Sequence, residues 1–200
     1  MARLSPQVFS YPTLDIARKL LGTKLVRRWK GKRLSGVIVE CEAYIGPRDS
    51  ACHASRGKTP RNQVMFGPAG RAYVYFTYGI HWMLNVVTGR EGFPAAVLIR
   101  ALEPLEGLGT MRFLRERKGR KVADRDLTSG PAKLTQAMAI EGRLNGDDLI
   151  SGRELWLEKG EKIPSSLVQR GPRIGISYAL EKDRHRKWRF WIRGSAYTSR

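Results

Sequence analysis

Cysteine and histidine are scarce in this sequence. Two cysteines, Cys41 and Cys52, in 200 residues cannot build a disulfide framework, and they form no C-x-x-C metal knuckle. Such usage fits a reducing compartment: the cytoplasm, at the nucleoid in a bacterium, or the nucleus in a eukaryote. Cys41, inside an apolar strand-like run, reads as a small buried hydrophobe rather than a nucleophile. The three histidines, His53, His81 and His185, lack metal-ligand spacing, so no metal is expected. No apolar run approaches the ~18 residues of a membrane span. The opening MARLSPQVFSYPTLDIARKLLG has no signal-peptide core followed by a small-residue cleavage site. Also missing are a G-x-x-x-x-G-K-[ST] phosphate loop, a dinucleotide fingerprint, the His-x-Glu and Pro-Cys-x-x-Cys pair of zinc deaminases, and a G-x-S-x-G elbow. An enzyme built on this chain is expected to use acid–base chemistry with no metal and no cofactor.

Acid is in short supply too. There are 18 Asp and Glu against 37 Lys and Arg, a formal net charge of +19 at pH 7. Excess charge of one sign opposes compaction by self-repulsion. The excess therefore points to a polyanionic partner, nucleic acid first and an anionic membrane surface second. A merely soluble basic surface is the bland alternative. At 42% hydrophobic and 28% charged residues the composition is otherwise that of a globular protein, and its length suits one domain with a core.

PTLDIARKLLG at 12–22 predicts a short helix with Thr13 as its N-cap, Leu14, Ala17, Leu20 and Leu21 on one face, and Gly22 as its stop. KLVRRW at 24–29 and RLSGVIVECEAY at 33–44 read as strands joined at Lys30-Gly31-Lys32. The long polar segment IGPRDSACHASRGKTPRNQ follows, and loops of that length in a compact domain are usually functional. AYVYFTYGIHWMLNVVT reads as an aromatic hairpin with its tip near Thr77-Tyr78-Gly79, and AAVLIRALEP at 95–104 as a buried strand. Residues 105–118 read as a helix and GRKVADRD as a basic loop. SGPAKLTQAMAI at 129–140 reads as a helix with Ser129 near its cap and Pro131 in its first turn. ELWLEK, RIGISYA and WRFWIRG read as strand-like runs. The expectation is α+β: a single compact domain over residues 1–200, with a curved, largely antiparallel β-sheet, surrounding helices and a protruding β-hairpin.

Strand alternation in VIVECEAY puts Ile38, Glu40, Glu42 and Tyr44 on one face. Two acids on a solvated face is the bland reading. The other is a general base, since a carboxylate beside aromatic rings can have a raised pKa. His53 follows in the polar loop, where a histidine is more often a surface group. Thr59, Arg61 and Asn62 in T-P-R-N could meet phosphate. Tyr73 and Tyr75 share a face of the hairpin. Tyr78, at its turn, is either a wedge between base pairs or a residue packed on its own hairpin, and both readings stand.

Together these residues resemble the alkyladenine (3-methyladenine) DNA glycosylase family. The matching blocks are VECEAYIGPRDSACH, KTPRNQVMF, AYVYFTYGIHWMLNV, LIRALEP, TSGPAKLTQAMAI, and RIGIS with WRFWIRG, in family order over most of the chain. Cys41, where a threonine is familiar, and Gln63-Val64 after T-P-R-N are departures. The resemblance implies a monomeric, monofunctional enzyme that flips a damaged purine out of double-stranded DNA and hydrolyses its N-glycosidic bond. It implies Glu42 as general base, with Arg100 and the Ile174 carbonyl holding the water. Tyr44, His53 and Tyr75 would sandwich the base, Asn85 would crowd the 2-amino group of guanine, and Tyr78 would fill the vacated stack. Thr59, Arg61, Asn62 and Lys133 would contact the DNA backbone. No lysine is expected among the pocket residues. A non-catalytic binder of damaged or structured DNA is the rival, and a small-molecule nucleosidase a weaker third.

Overall fold

The computed structural model describes residues 2–116 and 121–199. Its sheet grows from one tight turn. Lys30 and Gly31 take positive φ (46° and 76°), the geometry that lets a two-residue turn follow strand twist, and they join β1 (Lys24–Trp29) to β2 (Lys32–Ile45). β2, 14 residues long, is the spine: it pairs antiparallel with β1, with β5 (Ala95–Glu106) and with β8 (Arg189–Ile192). β3 (Ala72–Thr77) and β4 (His81–Val87) form the expected hairpin, and β4 pairs with β5. The strand order is β3-β4-β5-β2-β1-β6, with β6 at Leu155–Glu158 and β7 (Val168–Gly171) joined on through β8. Every one of these pairings is antiparallel. α1 (Thr13–Leu20), α2 (Leu108–Arg115) and α3 (Pro131–Ala137) bury Ile16, Leu20, Met111 and Leu134 against Leu25, Leu34, Ile99 and Leu102 of the sheet. The result is a single α+β domain. No helix among the described residues is long and apolar enough to cross a membrane.

One irregularity positions the site. Ile38 pairs with Leu102 and Cys41 with Ile99, but between them Glu40 pairs with Ala101, which leaves Val39 and Arg100 outside the ladder. Each strand thus spends one extra residue, a bulge that reverses which face later side chains take. Ile38 and Cys41 both join the core although they are three apart, as do Ile99 and Leu102. The alternation expected for VIVECEAY is corrected: Glu40, Glu42 and Tyr44 share a face, and Ile38 points into the core on the other.

Several boundaries also move. Pro12 stands at the N-cap of α1, and Thr13 is its first residue, its hydroxyl 3.0 Å from that of Thr88. The helix expected over 105–118 begins at Leu108, because β5 runs on to Glu106 and the chain turns at Gly107 (φ 80°). A Cβ at Gly107 would lie 2.4 Å from Leu34, so that turn needs glycine. Residues 117–118 of that expectation, and the first two of the basic loop, lie outside the described residues. α3 is capped at Gly130, one residue after Ser129, with Pro131 in its first turn as expected, but it ends at Ala137; Ser129 bridges to Ala101 and accepts a hydrogen bond from Lys133. RIGISYA is not a strand. Gly175 has φ 77°, and the Ile174 N–H is spent on the carboxylate of Glu42 rather than on a ladder.

Candidate active site

A cleft of about 1220 Å³ opens between the β3–β4 hairpin, the polar loop after β2 and the segment 174–186. Tyr44, His53, Arg61, Tyr75, Tyr78, Asn85, Arg100 and Ile174 all line it. Glu42, fully buried, lies beneath, bonded to three of them. The Oε1 atom of Glu42 accepts from the Ile174 N–H (2.7 Å) and pairs with Arg100 Nη1 (3.2 Å), and Oε2 accepts from the Tyr44 hydroxyl (2.8 Å). A carboxylate offers roughly four acceptor positions, so this set leaves room for one more donor. Burial raises the Glu42 pKa, and Arg100 and the two hydrogen-bond donors pull against it. Burial also works against charge on Arg100, but Glu42 and Glu40 outweigh it and raise the Arg100 pKa. The result is a desolvated, ion-paired carboxylate. Both bulged strands contribute to it, Glu42 from β2 and Arg100 from the extra residue of β5.

The aromatic walls are braced from behind. The His53 ring lies edge-on to Tyr75 at 4.5 Å, and its Nδ1 is 2.8 Å from the Tyr73 hydroxyl. Burial, then the neighbouring Arg61, lowers the His53 pKa to about 4, so the ring is neutral at pH 7. Behind Tyr44 the Arg173 guanidinium stacks at 4.7 Å, itself held by Asp49 through bonds of 2.6 and 2.7 Å in which both side chains are fully buried. Asn85 is buried and its Nδ2 donates to the Tyr73 carbonyl at 3.2 Å.

The hairpin tip bears on one of the two readings of Tyr78. Its backbone sits at φ 52° beside Gly79 at 67°, and the side chain is 79% exposed, so it does not pack on its own hairpin. Ile80 beside it is also exposed. Below the tip Phe76 packs on Trp82 with ring centroids 4.7 Å apart, and Arg61 donates to the Phe76 carbonyl at 3.0 Å.

Other expected contacts fall differently. Asn62 is not free to meet phosphate. It is 1% exposed, its Oδ1 accepts from the Thr59 N–H, and its Nδ2 donates to the carbonyls of His53 and Gly57. The residue builds the loop that carries His53. Thr59 and Arg61 are exposed. Lys133 lines not the main cleft but a smaller polar hollow that Arg100 also lines, and pairs with Asp126 at 3.2 Å. Lys182, on the short helix α4 (Glu181–Arg184), does line the cleft, which corrects the expectation of a pocket without lysine. The roles of Tyr73, Asp49, Arg173 and the exposed Tyr178 at the mouth carried no signal in the sequence beyond residue type. Among the described residues no group of three His, Cys, Asp or Glu could hold a metal ion.

An aromatic cleft floored by a buried carboxylate, on a chain with +19 net charge, is the kind of site an enzyme acting on nucleic acid would use. Sequence comparison gives the particular family. The model of the methylpurine-DNA glycosylase family matches residues 7–196, and the chain belongs to that family of DNA-repair hydrolases. It is 47% identical over 197 residues to a protein of Carboxydothermus hydrogenoformans, covering 98% of each, and 48% identical over 200 residues to one of Methanocella arvoryzae, covering 100% and 97%. Both carry the provisional name 3-methyladenine DNA glycosylase. It is also 47% identical over 206 residues to the mouse DNA-3-methyladenine glycosylase, covering 98% of this chain and 61% of the mouse protein.

Proposed function

We propose that this protein, acting as a monomer, extrudes alkylated and deaminated purines from duplex DNA and hydrolyses their N-glycosidic bonds, with Glu42 as general base. The substrate class is 3-methyladenine, 7-methylguanine, hypoxanthine and ethenoadenine. A stacked base cannot be attacked at its sugar carbon, and extrusion costs a few kcal/mol. Tyr78, exposed at the hairpin tip, is suited to fill the vacated stack and offset part of that cost. Tyr44, His53 and Tyr75 offer ring faces, each stacking contact being worth about 1–3 kcal/mol, and a cationic alkylpurine gains further attraction from them.

The single observation that carries the reading is the coordination of Glu42: fully buried, paired with Arg100, and with acceptor capacity left for a water. Glu42 takes a proton from that water, the water oxygen bonds to C1′, and the purine leaves with the glycosidic electron pair. Arg100 and the carbonyl of Ile174 hold the water in this scheme. A cationic purine is a good leaving group, so one carboxylate suffices where ordinary glycosidases use two. Glu42→Gln is expected to lose single-turnover excision by at least ~10²-fold, the scale of general-base loss, while still binding lesion DNA. A fully active Glu42→Gln would remove the base assignment, and a native protein that binds lesions without excising them would favour the non-catalytic binder. Hydrolysis is direct, so borohydride added during turnover traps no enzyme–DNA adduct. Lys182 is the amine to replace first if one forms.

A further inference from the structure

We propose that Glu40 and Ser199 are positioning residues for this same reaction: together they hold the Arg100 guanidinium so that one nitrogen alone meets Glu42. The inference rests on Glu42 being the base. Glu40 is fully buried and is not among the residues that line the main cleft. Its Oε1 accepts from Arg100 Nε (3.1 Å), Arg189 Nη1 (3.2 Å) and the Ser199 hydroxyl (2.7 Å), and its Oε2 accepts from the Ser199 N–H (2.5 Å). The Ser199 oxygen in turn lies 3.3 and 3.2 Å from Nε and Nη2 of Arg100. The guanidinium is thereby divided. Its Nε–Nη2 edge belongs to Glu40 and Ser199, and Nη1 belongs to Glu42.

The division matters because a guanidinium prefers to meet one carboxylate with two parallel bonds. Turned edge-on to Glu42, Arg100 would occupy the acceptor position that the water needs and hold the base in its weakest form. Drawn wholly onto Glu40, it would leave Glu42 buried without its counter-charge, and the base would stay protonated. Two carboxylates share one arginine, and Ser199 fixes the share. The charged and titratable groups facing Glu42 are Arg100 on β5, Glu40 and Tyr44 on β2, Tyr75 on β3, Arg173 ahead of Ile174, and Arg189 on β8.

The two residues therefore act on Glu42 in opposite senses. Ser199→Ala deprives Nη2 of its partner and lets the fork close on Glu40. The acid limb of the pH–rate profile for single-turnover excision is expected to move up by about one pH unit, a fall of about 10-fold well below the limb. Glu40→Gln removes the competing charge, and the limb is expected to move down. Ser199→Thr, which keeps the hydroxyl, is expected to restore the native profile, and affinity for lesion DNA is expected to stay within about 2-fold in the serine variants. In an Arg100→Gln background Ser199→Ala is expected to change the rate less than about 2-fold, since the two share one route. Limbs that move together, no shift in Ser199→Ala, or the same loss in both backgrounds would overturn the proposal. Should Glu40→Gln fail to fold, the serine variants and the double mutant still decide it. An active Glu42→Gln would instead sink the base assignment, a separate failure.

Discussion

Glu42 and Asn85 each reduce to one physical conflict. A buried carboxylate resists charging, yet a general base must be charged, and Arg100 sits between those demands. Burial raises the Glu42 pKa, so excision should climb with pH through a limb above the ~4.3 of a free glutamate. Replacing Arg100 by Gln removes a stabilising positive charge and should push that limb higher still. Single-turnover rates from pH 4 to 8 read both. Asn85 is tethered to the Tyr73 carbonyl on the strand returning from the hairpin tip, where it lines the cleft. In our reading its amide excludes the 2-amino group of guanine, which adenine and hypoxanthine lack, by overlap or by an unpaired donor. Asn85→Ser should speed excision of 7-methylguanine relative to hypoxanthine by an amount worth about 1–3 kcal/mol. Equal slowing of both bases would make Asn85 structural.

Elements fix these side chains, and they differ in how legible they were. The Lys30-Gly31 turn and the Tyr78-Gly79 tip could be read locally, because turn chemistry is decided by a few adjacent residues. The bulge could not: it depends on β5 spending Arg100 opposite the extra residue of β2, a pairing invisible within either segment. Hence alternation within the segment puts Glu40 and Glu42 on one face, as they are, but puts Ile38 on the wrong one. RIGISYA misled for a related reason. Its β-branched residues look like strand, but Ile174 gives its N–H to a carboxylate 132 positions away in sequence. T-P-R-N looked like a phosphate loop and proved half structural, since Asn62 faces inward. The brace behind Tyr44 was equally unreadable, and it yields a prediction. Asp49→Asn leaves the buried Arg173 charge without its counter-ion, a loss on the order of 3–5 kcal/mol. Urea unfolding should show it. Asp49→Asn should also loosen the Tyr44 wall, so lesion affinity should fall even at temperatures where the variant is fully folded.

At the scale of the whole molecule the question is where +19 charges are used. Much of the acid in the chain is committed internally: Glu40 and Glu42 to Arg100, Asp49 to Arg173, Glu154 to Arg27, and Glu106 and Glu158 to Arg33. The excess of Lys and Arg is therefore carried outward. Around the cleft mouth Arg48, Arg56, Arg61 and Lys182 form no ion pair among the described residues. Such cations are suited to replace the counterions condensed on phosphate, and each neutralised phosphate contributes about −0.9 to the slope of log K against log salt. With all four engaged, the slope should be about −3.6 or steeper. Replacing any one rim cation by Gln should reduce its magnitude by about 1, and it should weaken lesion and undamaged DNA alike. Lys162 lines a separate hollow beside α1, and Lys162→Gln should leave the slope unchanged. Titrations of labelled duplex between 50 and 300 mM salt, roughly the range over which such slopes are read, measure all of this. A slope near zero, or one that Lys162→Gln reduces as much as Arg48→Gln does, would mean that the charge around the cleft is not what holds DNA.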